Sequence, residues 1–208
     1  MRRRSIRWAG YLFCAVAVCA AALGIYAMTR PVDEVVLTLG EPYAQVRAQS
    51  RSTLPLLTDE NSINLYVRRP AIFRFDDSQY GFVTPAAKFL SLYANEQGRV
   101  TLVTLSPQVE TLPLDKAMAI VLDIQDQLRR HGWHPIKVHR FPPITDTPAM
   151  VASIQRGDDP QTFWQADGKY QVGLDIRRFV HENRPKDERY LITLELSGPP
   201  LMQEYPGD

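Results

Sequence analysis

Three of the four histidines fall within "LRRHGWHPIKVHR", Leu128 to Arg140. Histidine binds metals through a neutral ring nitrogen and carries protons near neutral pH. A zinc centre needs three or four converging ligands from His, Cys, Asp and Glu. His131, His134 and His139 have no cysteine near them and no acid at ligand spacing. Two acid pairs, Asp76-Asp77 and Asp158-Asp159, have the residue type for general acid–base work. Both lie among turn-forming residues, where Asp bonds its own backbone and adjacent side chains point apart. The sequence contains no G-x-S-x-G elbow, no Gly-rich phosphate loop and no H-E-x-x-H. Trp133, Phe163 and Trp164 read as core residues. The sequence therefore predicts no catalytic residue, no cofactor and no metal.

The elements around these residues explain their spacing. In "LPLDKAMAIVLDIQDQLRRHGW", Ala117, Val121, Ile124 and Leu128 repeat with helical period, and Leu114, Met118 and Ile120 widen the stripe. Asp115 in the first turn and Arg129, Arg130 and His131 in the last complement the helix dipole. Gly132 is placed to end the helix left-handed, with Trp133 folding back onto Leu128. The following "HPIKVHRF" reads as a strand, with His134, Ile136 and Val138 on one face. Strands are also expected at Val35–Leu39, Ile63–Val67, Ala71–Phe75, Lys88–Ala94 and Arg99–Leu105. Pro70 separates two of them, and "NEQG" joins the last pair as a hairpin. Asp167-Gly168 marks another hairpin. After it, Tyr170, Val172, Leu174 and Ile176 alternate with polar residues, and Tyr190, Ile192, Leu194 and Leu196 repeat the pattern. "PYAQVRAQS" reads as a short helix with Tyr43 and Val46 inward, and "HENRPKDER" as a solvated loop.

The N-terminus predicts a location. "MRRRSIR" carries Arg2, Arg3, Arg4 and Arg7 and no acid, and Trp8–Met28 then runs 21 residues without a charge. A helix of that length spans about 30 Å, the thickness of a bilayer core. Trp8, Leu12, Phe13, Val16, Val18, Leu23, Ile25 and Tyr26 would form the membrane anchor, and the arginines would hold the N-terminus in the cytoplasm. The expected layout is a cytoplasmic basic segment at 1–7, a transmembrane signal-anchor at 8–28, a periplasmic domain at 31–198 and a flexible tail at 199–208. Cleavage as a signal peptide near Ala20-Ala21-Ala22 is the rival reading. Both cysteines, Cys14 and Cys19, lie in the apolar run, so the rest holds no disulfide. Without the four leading arginines, 20 of the 24 basic residues face 23 acidic ones. Such a surface offers no field for nucleic acid.

The expected fold is α+β: an N-terminal transmembrane helix, then an antiparallel sheet packed against one main helix. "LTLGEPYAQVRAQS" resembles the opening of small envelope lipoproteins of the BamE/SmpA type through Gly40, Pro42 and Val46. That resemblance implies a role in outer-membrane assembly. The layout of basic start, single span and small domain is similar to that of membrane-anchored periplasmic immunity proteins. The expected function is a membrane-anchored periplasmic module that binds an envelope protein without catalysis. One alternative is an immunity protein neutralising a periplasm-acting toxin. The other is a hydrolase with an unrecognised site, for which His139, Asp158 and Asp159 would have to meet in a cleft. The sequence leaves open whether copies of the chain associate.

Overall fold

A computed structural model describes residues 31–57 and 64–203. The described residues form ten strands and three helices: β1 Asp33–Leu37, α1 Tyr43–Gln49, β2 Asn64–Tyr66, β3 Ala71–Phe75, β4 Phe82–Val83, β5 Phe89–Ala94, β6 Val100–Ser106, α2 Leu114–Arg130, β7 His134–Ile136, α3 Pro148–Arg156, β8 Gln161–Ala166, β9 Tyr170–His181 and β10 Arg184–Ser197. Seven strands form an antiparallel sheet in the order β2-β5-β6-β10-β9-β8-β7, and β1-β3-β4 form a second sheet. In the smaller sheet β1 runs parallel to β3, which only a connection longer than a hairpin allows. That connection contains α1 and β2.

The turn chemistry fixes the hairpins. Asp167 and Gly168 both take positive φ, 42° and 67°, in the three-residue connection 167–169 between β8 and β9, a conformation that Asp and Gly tolerate. Between β5 and β6, the Asn95 side chain accepts bonds from the backbone of Gln97 and Arg99. Leu90, Leu92, Val103, Leu105, Val172, Leu174, Ile176, Ile192, Leu194 and Leu196 form the buried face of the large sheet. One contiguous apolar cluster joins these residues to Phe73 and Phe75 of the small sheet and to Ala117, Val121, Ile124 and Leu128 of α2.

Three glutamines act as inserted peptide units. Gln125 donates to the Ile144 carbonyl at 2.8 Å and accepts from the Ile144 N–H at 3.0 Å. Gln127 bonds Val83 in the same way, at 3.0 and 2.9 Å. Gln108 accepts from the Ile192 N–H and donates to the Tyr190 carbonyl. The first two tie α2 to the loop before α3 and to β4, so the helix is positioned by polar clamps as well as by its apolar stripe.

Several expectations are corrected. The described residues are largely β, with two sheets and ten strands, in place of an α+β domain organised on one sheet and one main helix. "HENRPKDER" is not a loop: β9 and β10 run through it as a long hairpin, with a register shift between Arg184 and Glu188. Backbone pairing carries that charged stretch where side-chain alternation is lost. The strand expected over His134–Phe141 stops at Ile136, because Lys137 has φ 52°. A helix that the expected layout lacked occupies Pro148–Arg156. Among the described residues no helix is long and apolar enough to cross a membrane. The longest, α2, has 17 residues and carries charges along its length. The transmembrane fold class, and the placement as a single-pass inner-membrane protein with its domain in the periplasm, are corrected on that finding. The expected anchor, Trp8–Met28, and Arg2, Arg3, Arg4 and Arg7 lie outside the described residues.

Candidate functional site

The histidine stretch folds as a helix stop. Trp133 N–H bonds the Leu128 carbonyl at 3.0 Å and Gly132 N–H bonds Arg129 at 3.3 Å, with Gly132 at φ 83°. This is the Schellman arrangement. The Trp133 indole N–H donates to the Tyr80 carbonyl at 2.9 Å, anchoring the ring among Phe75, Phe82 and Tyr170. His131 Nδ1 lies 2.9 Å from the Gln127 carbonyl on the exposed end of α2. His134 is exposed on β7, and His139 is exposed in the turn after it. Among the described residues, no three His, Cys, Asp or Glu side chains gather to hold a metal ion.

The acid pairs serve turns. Asp77 Oδ1 accepts from the backbone of Gln79 and Tyr80, both at 2.9 Å, and Oδ2 accepts from the Tyr170 hydroxyl at 3.2 Å. Burial pushes the Asp77 carboxyl up, but these donors and nearby Lys169 draw it below the usual carboxylate range. Asp158 accepts from Ser153 at 2.8 Å and from Arg156 at 2.7 Å, which hold it low. Asp159 takes the left-handed conformation at φ 46°. The Tyr80 hydroxyl donates to Asp167 at 2.5 Å, and its pKa is pushed up to about 12 by that bond.

An apolar groove of about 530 Å³ runs between α2 and α3. Leu114, Met118 and Leu122, at successive turns of α2, form one wall with Ala119, and Val151 of α3 forms the other. The α2 stripe is wide enough to do two jobs. Ala117, Val121, Ile124 and Leu128 are fully buried, while Leu114 and Leu122 are only partly covered. Asp115 and Asp146 stand at the rim. α3 is set by its ends: the Thr147 side chain accepts from Met150 N–H, Pro148 opens the first turn, and Gly157 closes the last at φ 86°. "TPAMVASIQRG" therefore carries start and stop signals that could have revealed this helix.

The other feature is the outward face of the large sheet. Cross-strand pairing aligns Ile136, Phe163, Gly173, Glu195, Thr104, Ser91 and Tyr66 in one row across all seven strands. Trp164 and Trp133 are core residues, as their sequence context predicted, but Phe163 is on this outward row and only partly buried. A depression of about 190 Å³ lies over Gly173. The exposed pair Tyr66 and Phe89, with ring centres 5.8 Å apart, marks the far side. At the near end the tail folds back, with Met202 N–H bonded to Gln171 and its carbonyl to Gln165. No sequence pattern could display this row, because each strand contributes one residue.

Comparison of the chain with protein families, with characterised proteins and with solved structures returns no match.

Proposed function

We propose that the chain is a non-catalytic protein-binding module that receives an apolar segment of a partner protein in the groove between α2 and α3. The observation that carries this reading is the groove itself. Its lining is almost wholly aliphatic, it is open along one side, and it includes Met118, whose flexible thioether adapts to varied surfaces. Laying an amphipathic helix into such a groove is a recurrent mode of peptide recognition. Asp115 and Asp146 at the rim favour a segment with a basic residue beside its apolar face. An immunity protein would use the same surface with a toxin as its partner. A hydrolase would need His139 to join Asp158 and Asp159. His139 is exposed beyond β7, while Asp158 is held by Ser153 and Arg156 beside α3.

A photo-crosslinking residue at Ala119 of the full-length chain, in living cells, tests the reading. One adduct in near-equal amount, lost on Val151→Glu and missing from a probe at exposed Lys186, is the expected result. No adduct at Ala119, or the same adducts from Lys186, would overturn it.

A further inference from the structure

The depression over Gly173 has a chemistry unlike the groove. Gly173 is central in β9, and its backbone does not require glycine, since among the described glycines only Gly40, Gly98, Gly132, Gly157 and Gly168 take positive φ. What the residue supplies is room for the Phe163 ring. A Cβ there would lie 3.1 Å from Phe163 Cε1, tighter than ordinary van der Waals contact. The Phe163 ring is held in turn by Phe141, edge-on with centres 5.0 Å apart. Glu195 is directly opposite Gly173 on β10, and Asp175 is two residues further along β9 on the same face. Gln161, Gln171 and Thr193 complete the lining.

Aromatic cover of a strand glycine is a known way to stabilise a sheet, and it would account for Phe163. It does not account for two carboxylates beside the ring. Asp175 Oδ1 is sheltered from solvent and has no well-formed hydrogen bond. Its nearest cation is Arg177, with Nε at 3.4 Å, and that guanidinium donates to Thr193 at 3.2 Å. A sheltered carboxylate oxygen is costly unless well paired, and Arg177 pairs this one without a well-formed hydrogen bond. Burial drives the Asp175 carboxyl above the usual range against the pull of Arg177 and Thr193, with Asp159 adding to the rise. An arriving cation would give the carboxylate a second, better-formed partner.

We infer that the Gly173 depression is a binding site for a guanidinium group, which stacks on Phe163 and donates to Asp175 and Glu195. A planar, weakly hydrated cation suits a ring face and two carboxylates together. Anions are repelled by the carboxylates. At about 190 Å³ the space is below that of sites enclosing a whole small ligand, roughly 300–1,000 Å³. It is sized for one side-chain head. The group has two sources, an arginine side chain of a protein or a free guanidino compound, and the site does not depend on the α2–α3 groove.

Titration of the full-length chain with N-acetyl-arginine methylamide, its citrulline counterpart and agmatine, followed by NMR or calorimetry, decides the matter. The arginine amide is expected to bind at least about tenfold more tightly than the citrulline compound, which has the shape without the charge. Asp175→Asn should weaken binding by about tenfold or more while the circular dichroism spectrum is kept. Gly173→Val should abolish it by displacing the Phe163 ring. Agmatine binding more tightly than the amide would assign the site to a free guanidino compound, and the reverse order would assign it to a protein arginine. Equal binding of the citrulline compound, or undiminished binding by Asp175→Asn, would overturn the inference. Val151→Glu in the groove should leave this binding unchanged, so the two readings fail separately.

Discussion

Asp175 and Asp77 respond to pH with opposite signs. Burial, only partly offset by Arg177 and Thr193, raises the folded-state pKa of Asp175. The folded chain then binds a proton more readily than the unfolded one. Asp175 therefore subtracts stability as pH rises through its folded value, and subtracts none well below the unfolded value. Asp175→Asn should raise the urea midpoint at about pH 7 and leave it unchanged near about pH 3, below the ordinary aspartate range. A gain in stability coupled to loss of guanidinium binding is the trade expected at a functional carboxylate. For Asp77 the folded value is lowered, burial being outweighed by Tyr80, Gln79, Tyr170 and Lys169. Its contribution is present above the unfolded value and is lost as pH falls through the folded one. Asp77→Ala should thus lower the midpoint at about pH 7, where two turn N–H groups lose a charged acceptor, and lower it by less in acid. Gly132 needs its freedom for a different reason. At φ 83° a side chain costs about 1–2 kcal/mol. Gly132→Ala should lower the melting temperature by roughly 2–8 °C for a chain of this size, read by circular dichroism.

At the scale of elements, α2 organises the molecule. Its apolar stripe was legible from Ala117, Val121, Ile124 and Leu128, because a buried helix face repeats at fixed spacing. The Gln125 and Gln127 clamps were not legible, since their partners are backbone groups of Ile144 and Val83, remote in sequence. Gln125 is buried, so Gln125→Ala strands both polar groups of Ile144 and should cost about 1–3 kcal/mol. Hydrogen exchange at the Ile144 amide should accelerate in that variant, and an unchanged rate would refute the clamp. The second wall of the groove depends on the α3 cap. Thr147→Ala should destabilise by about 1 kcal/mol, typical of an N-cap loss, and should weaken the Ala119 adduct with it.

Across the whole molecule, one apolar cluster connects both sheets to α2. Trp133 packs against Phe75 and Phe82 of the small sheet, and Trp164 is buried on β8 of the large one. If the core is one cooperative unit, the two indoles should report one denaturation midpoint. Fluorescence of Trp133→Phe and Trp164→Phe variants, each also carrying Trp8→Phe so that one indole remains, should therefore give urea transitions coincident with circular dichroism. Separate midpoints would show that the sheets unfold independently.

Local pairing and periodicity determined much by sequence alone. The Asp167-Gly168 turn, the α2 stripe with its Gly132 stop, β3, and the inward faces of β9 and β10 all follow from residues close together in the chain. Tertiary structure decided the rest. Alternation cannot mark a strand such as the charged end of β9 and β10, where pairing comes from a partner backbone. A run of apolar residues cannot reveal which flank of a helix meets the core and which is left as a groove. The row from Ile136 to Tyr66 exists only when seven strands come into register. The candidate sites are the least legible part for that reason. Each is made from residues dispersed along the chain, and proximity in space is what gives them a shared chemistry.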